Sequence, residues 1–173
     1  TKILDVGWGD GEIPLMLVKK TRCQITAIDG SENMLKQFIL KKEKQNIDNI
    51  KIYKKLINNE LFPENVFDLV INNSVLHHIS DVYLFWRTLI RLIEPQGKIF
   101  LMDLVRPESD EQLQNTLSKY GGLDPTLLKD FENSLRAAYT IDEVKSQLND
   151  FREITFNIKS VSDRHFFASI IKR

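Results

Sequence analysis

Apolar positions along the chain change period repeatedly, and each change marks an element. Lys2-Ile3-Leu4-Asp5-Val6 is a short apolar run of strand type that ends in glycines at alternate positions, Gly7, Gly9 and Gly11. Leu15, Met16, Leu17 and Val18 continue a helix with Pro14 in its first turn, where the missing N–H costs nothing. Ile25, Ala27 and Ile28 mark a second strand, Gln24–Asp29, and Ser31 is a good N-cap for a helix with Met34, Leu35, Phe38 and Ile39 on one face. Strand three is 50–53. After a loop with Asn58, Asn59 and Pro63, Phe67–Asn73 is a continuous apolar run of the parallel-sheet type. Asp81 caps a helix whose apolar face is Val82, Phe85, Trp86, Leu89, Ile90 and Ile93. Pro95-Gln96-Gly97 reads as a turn, 98–105 as strand five, and 107–139 as mostly helical with breaks at Gly121-Gly122 and Pro125. Thr140 and Glu143 form a capping box for a short helix to Leu148, and 151–159 and 165–171 alternate as two strands around a polar turn. Strands alternating with helices and then a terminal hairpin predict an α/β fold, mainly parallel, with one antiparallel strand.

Composition narrows the class without choosing a chemistry. The 173 residues suffice for one domain with a real core, and 42% hydrophobic with 28% charged content is ordinary for a soluble globular protein. A formal charge of zero leaves no global footprint for nucleic acid or an anionic membrane. Lysines at 41–55 form a local basic cluster, for which a solvated helix face and strand edge is the stronger reading. The single cysteine, Cys23, excludes an internal disulfide and a cysteine-based zinc site, and it reads as a small buried apolar residue. No metal site is expected. The sequence has no signal peptide and no apolar run of about 18 residues, so a cytoplasmic protein without membrane association is the expectation.

The glycine turn carries the first chemical signal. Three of the seven glycines stand between a first strand and a first helix, where a turn aims unpaired helix N–H groups at a ligand above it. The dinucleotide fingerprint G-x-G-x-x-G fits at Gly7 and Gly9, but its third position falls on Glu12, and no Gly-Lys-Ser/Thr follows to make a P-loop. Asp29 lies about 20 residues beyond the turn's start, where doubly wound folds set a carboxylate on ribose hydroxyls.

Asp5-Val6-Gly7-Trp8-Gly9-Asp10-Gly11 resembles motif I, D-x-G-x-G-x-G, of class I S-adenosylmethionine-dependent methyltransferases. Ile28-Asp29-Gly30-Ser31-Glu32-Asn33-Met34-Leu35 resembles the motif that follows it in that family. Phe67-Asp68-Leu69-Val70 with Val75-Leu76-His77-His78-Ile79 is similar to the fourth-strand signature of its small-molecule branch, and Leu92-Ile93-Glu94-Pro95-Gln96-Gly97-Lys98 to its L-x-P-G-G turn, with Gln96 in place of a glycine. These motifs stand in family order and cover essentially the whole chain. The resemblance implies a Rossmann-like, doubly wound seven-stranded sheet in the order 3-2-1-4-5-7-6 with strand seven antiparallel. It also implies S-adenosyl-L-methionine as cofactor, bound over Gly7, Gly9 and Gly11, with the ribose on Asp29 beside Gly30 and Met34. Asn73 and Ser74 are expected at the cofactor's methionine part. For Asp5, orienting the glycine loop is the stronger reading than direct contact.

The chain departs from the family pattern in three places. Trp8 stands where a small residue is usual, and it either walls the methionine end of the pocket or packs away from it. Many relatives carry an acid after strand three for the adenine amino group; here Lys54-Lys55-Leu56-Ile57-Asn58 has none, and Asn58 or a backbone group is the substitute. Relatives also carry an N-terminal helical segment before the first strand. The expectation is therefore one methyltransferase-like domain over 1–173, either trimmed or with an open site, and with a helical cover over 106–139.

Methyl transfer from a sulfonium is an in-line displacement, so alignment and exclusion of water matter more than an acid–base dyad. His78 is the candidate base, weighed against a structural role at a helix entry. Asp103 and Arg106 end strand five on the same edge as candidates for touching an acceptor; Arg164 and His165, in the turn before the last strand, lie there too, with a satisfied turn as the stronger reading. The absence of an N-P-P-Y-type sequence after strand four argues against methylation of nucleobase amino groups. A small or medium-sized metabolite is the expected acceptor, with no nucleic-acid partner. A non-catalytic cofactor-binding module or partner subunit, and more remotely a nicotinamide-dependent oxidoreductase, are the other readings.

Overall fold

The computed structural model describes residues 1–58, 62–120 and 124–173. Its elements are β1 (Lys2–Val6), α1 (Glu12–Lys20), β2 (Gln24–Asp29), α2 (Glu32–Lys44), β3 (Ile50–Lys54), β4 (Phe67–Asn73), a 3₁₀ turn (Leu76–His78), α3 (Val82–Leu92), β5 (Ile93–Leu104), α4 (Asp110–Lys119), α5 (Pro125–Ala137), α6 (Ile141–Asn149), β6 (Ile154–Ser160) and β7 (His165–Lys172). The strands form one seven-stranded sheet in the order β3-β2-β1-β4-β5-β7-β6. β1 to β5 run parallel, and β7 lies antiparallel between β5 and β6. The α/β class, strand order and antiparallel strand expected from the sequence are all present. Gly121-Gly122, a candidate break, and Asn59 lie outside the described residues.

Alternation along the strands sends side chains to opposite faces of the sheet. In β1, Ile3 joins a cluster with Leu15, Ile25 and Phe38, roofed by α1 and α2. Leu4 and Val6 join a larger cluster with Phe85, Trp86, Leu89, Leu148 and Phe166, under α3 and α6. Both faces are covered, which explains why the central strands read as unbroken apolar runs. Leu104, Leu113, Leu117 and Leu135 make a third, smaller cluster that ties α4 and α5 to the end of β5.

Local chemistry sets the helix ends. Ser31 accepts from the Met34 N–H, Asp81 from the Leu84 N–H, and Thr140 with Glu143 closes the expected capping box. Pro125 sits in the first turn of α5 and opens that helix rather than breaking one. The expected turn at Pro95-Gln96-Gly97 is an irregularity inside β5: pairing with β4 jumps from Phe67↔Ile93 to Leu69↔Lys98, so residues 94–97 loop out. Gln96 takes φ 66° there, a left-handed conformation that favours glycine.

Candidate active site

A cavity of about 950 Å³ opens at the carboxyl ends of β1, β2 and β4, between the glycine turn and the start of α3. This is the edge, beside the first strand, where ligands bind in open α/β sheets. The glycine turn forms its floor. Gly7, Gly9 and Gly11 all have positive φ, but they serve different ends. A Cβ on Gly11 would lie 2.3 Å from the Phe38 ring, so this residue stands behind the wall and lets α1 close onto α2. A Cβ on Gly9 would meet nothing within 4 Å, which leaves the main chain open to a ligand.

Asp29 binds the turn to the second helix. Its Oδ2 accepts from the Gly9 N–H at 3.4 Å and its Oδ1 from the Ser31 N–H at 2.8 Å, and the carboxylate still lines the cavity beside Gly30 and Met34. Among the described hydrogen bonds, the carboxylate that holds the glycine loop is Asp29. Asp5 is 3% exposed and also lines the cavity. Burial, and then the nearby Asp29 charge, push its pKa from the usual 3.8 to about 7.

Parallel pairing sets Val6 of β1 beside Asn72 of β4. Asn72 donates to the Val6 carbonyl at 2.8 Å, but its Oδ1, the Oδ1 of Asn73, the Oδ2 of Asp5 and the Nε1 of Trp8 are buried with no hydrogen-bond partner among the described residues. Each such group costs roughly 1–3 kcal/mol. Two of these oxygens, on Asp5 and Asn73, belong to residues that line the cavity, and they suit a ligand rich in N–H donors or bearing positive charge. Ser74, next to Asn73, takes φ 59°, a strained conformation for a non-glycine residue, and also lines the cavity.

Trp8 is 4% exposed, lining the cavity and packing into the core at once. One edge reaches the cavity, while its ring lies 5.7 Å from that of Phe38 among Leu15, Ile25 and Ala27. After β3 the wall is Lys55, Leu56 and Ile57, and Asn58 follows beyond the last lining residue. Leu56 is 74% exposed, and its Cδ2 would be 2.6 Å from a Cβ on Gly30, so an aliphatic side chain covers that glycine.

His78 is exposed and lines the cavity, together with Ile79, Leu84 and Phe85. Burial, and then the charge of His77, lower its pKa, with Asp103 acting the other way. His77 turns inward and bonds Asp103 Oδ1 through Nδ1 at 2.6 Å. The expectation that Asp103 reaches an acceptor is corrected: it is 1% exposed and does not line the cavity. It shares the inward phase of β5 with Leu101, a period-2 signal present in the sequence. Arg106 pairs with Glu143, Arg164 stacks 4.0 Å over the Tyr120 ring, and His165 Nδ1 lies 3.0 Å from Ser162 Oγ; none of the three lines the cavity. Ser80, Asp81, Leu84 and Phe85 form a part of the wall that sequence motifs did not single out. They belong to it because the chain must cross the cavity mouth to enter α3.

No group of three His, Cys, Asp or Glu side chains among the described residues is placed to hold a metal ion, and no helix is long and apolar enough to cross a membrane. Among curated proteins, the chain is 25% identical over 150 residues to phosphoethanolamine N-methyltransferase 1 of Arabidopsis thaliana, covering 86% of this chain and 30% of that protein. It is 23% identical over 150 residues to the 27-O-demethylrifamycin SV methyltransferase of Amycolatopsis mediterranei, covering 86% and 52%. A match to the demethylmenaquinone methyltransferase of Listeria welshimeri is 28% identical over 109 residues, covering 62% and 46%. The chain thus spans about a third to half of these relatives. Among solved structures, the plantazolicin methyltransferase BamL, in complex with a triazolic desmethylPZN analog and SAH, superposes with a TM-score of 0.80 at 17% identity, covering 99% of this chain and 76% of that one. YcgJ from Bacillus subtilis superposes with a TM-score of 0.76 at 16% identity, covering 99% and 92%. Residues 4–101, which run from β1 through most of β5 and include the glycine turn, Asp29 and His78, match the methyltransferase domain family, and the chain belongs to that family.

Proposed function

We propose that this protein transfers a methyl group from S-adenosyl-L-methionine to a small or medium-sized metabolite. The carrying observation is the pair of unpartnered oxygens, Asp5 Oδ2 and Asn73 Oδ1, on residues that line the cavity at an open glycine turn. A cationic amino-acid end would satisfy them, with Gly9 admitting it to the main chain and Trp8 and Ser74 beside it. Asp29, whose carboxylate keeps lone pairs free beyond its two backbone bonds, would take the ribose hydroxyls. Gly30, Met34, Leu56 and Ile57 would bound the base by contact, and the acid that many relatives carry after strand three has no counterpart here. When bound, the cofactor supplies an electrophilic methyl on a sulfonium. Of the chain's own residues, His78 would take the acceptor's proton, and Leu84 and Phe85 would exclude water.

Family membership sets aside the nicotinamide reading. The names of the rifamycin and demethylmenaquinone relatives support a metabolite acceptor for this chain. So does the cavity, where Lys55 is the only lysine or arginine among the described lining residues, too little positive charge for a polyanion. We read α4 and α5 as a cover on the acceptor side. In support, α5 touches the 3₁₀ turn that carries His78, while Lys119 and Tyr120 hold the end of α4 to Asp163 and Arg164 in the β6–β7 turn. The test is calorimetric titration with S-adenosylmethionine and S-adenosylhomocysteine, followed by a screen of phenols, amines and carboxylic acids for S-adenosylhomocysteine release. Micromolar binding of both and turnover with one acceptor are expected. Binding without turnover against any of them would favour a partner-subunit role, and no binding would refute the proposal.

A further inference from the structure

The Asp103–His77 pair lies just behind the cavity wall, and nothing described so far uses it as a pair. Burying a carboxylate is costly unless it is hydrogen-bonded, and this one is 1% exposed. It is satisfied by the Leu76 N–H at 2.7 Å, the Leu104 N–H at 2.7 Å and His77 Nδ1 at 2.6 Å. The Leu76 bond is enough to anchor the 3₁₀ turn to β5. It leaves the imidazole unexplained, since a side-chain amide would satisfy the carboxylate without a second titratable ring. The His77 side chain is 4% exposed, so it serves no ligand directly. Its ring centroid, however, lies 4.0 Å from that of His78 at 46°, and His78 is the member of the turn that reaches the cavity.

We infer that the Asp103–His77 pair is a positioning unit for His78, holding its imidazole at the cavity wall as the free base that receives the acceptor's proton. The inference rests on the methyltransferase reading of the cavity. An acceptor O–H or N–H uses a lone pair to form the bond to the methyl carbon, and the carbon–sulfur bond breaks with its pair returning to sulfur. The acceptor's proton passes to a free ring nitrogen of His78 and from there, because His78 is exposed, to solvent. Burial and then His77, packed against the ring, disfavour the charged form of His78, with Asp103 acting the other way. Of the other charged groups near the turn, Asp81 caps α3, and on α5 Glu132 pairs with Lys129 and Arg136, while Asp130 stands on the same helix. Burial first and His77 second hold the His78 pKa down, and Asp103 fixes where His77 sits.

The chain has three histidines, so imidazole resonances can be followed by NMR in the full chain saturated with S-adenosylhomocysteine and assigned with His78→Gln and His165→Gln. His78 should titrate below the ordinary histidine range, and His77→Gln should raise its midpoint by about half a unit or more. A role confined to anchoring the turn predicts a lower melting temperature in His77→Gln with the His78 midpoint unchanged, and that result overturns the inference. If His77→Gln fails the circular-dichroism check for folding, the wild type decides: the His77 ring resonances should shift in step with the His78 titration. Absence of that response counts against the pair. His78→Gln should slow methyl transfer to an acceptor from the screen at least about a hundredfold, and an equal rate would remove the base role. Loss of S-adenosylmethionine binding by the wild type would instead refute the underlying methyltransferase reading.

Discussion

Asp5 makes the sharpest quantitative prediction. It is a carboxyl 3% exposed, with one oxygen unpartnered and its pKa raised from 3.8 to about 7 by burial and by Asp29. Because the folded-state pKa lies above the unfolded one, the folded protein binds the extra proton between these values. The stability linked to Asp5 is therefore fully present below about pH 4 and is lost as pH rises through about 7. At about 1.4 kcal/mol per pH unit, the loss approaches roughly 4 kcal/mol, an upper figure because relaxation and water entry reduce it. Asp5→Asn keeps the shape and removes the ionisation, so the variant should lose this pH dependence. The assay is urea unfolding of ligand-free wild type and variant at pH 5 and pH 8. The variant's stability relative to the wild type should be higher at pH 8 than at pH 5 by at least about 2 kcal/mol, about half the upper figure. Other titrating carboxyls, such as Glu143 and Asp163, whose pKa values are lowered, slope the opposite way but cancel in the comparison. A difference that is the same at both pH values would show that Asp5 ionises freely, and would refute the argument.

Asp29→Ala should weaken S-adenosylmethionine binding at least about tenfold, or 1.4 kcal/mol, by calorimetry; unchanged affinity would remove Asp29 from the site. Gly11→Ala meets the Phe38 ring at 2.3 Å and must also hold φ 81°, so it should destabilise by about 2–4 kcal/mol in chemical denaturation, whereas Gly9→Ala, which meets no atom within 4 Å, should fold but bind cofactor more weakly. Hydrogen exchange in α4 and α5 should be faster than in the central strands and should slow when S-adenosylhomocysteine binds; equal protection with and without ligand would count against a cover.

Much of this protein could be read from its sequence, because the signals involved are local. Strand and helix periods, the caps at Ser31, Asp81 and Thr140, and a glycine turn placed between the first strand and helix depend on residues a few positions apart. So does the placement of Asp29 at the end of β2, where the parallel sheet brings it to the glycine turn. What the tertiary structure decided involves groups far apart along the chain. Trp8 turned mostly inward because Phe38, on the next helix, offered it an apolar surface. Asp103 seemed a ligand-edge acid, but the phase of β5 points it inward to His77 and the Leu76 N–H, nearly thirty residues earlier. Arg164 stood in the sequence as a weaker acceptor candidate against a satisfied turn, and the ring of Tyr120, over forty residues earlier, holds it. The choice between a ligand-facing and a buried partner for a polar side chain is made by burial, since an unpaired charge costs more inside than in water. Which residues are buried is a property of the packed sheet, and no window of neighbouring residues contains it.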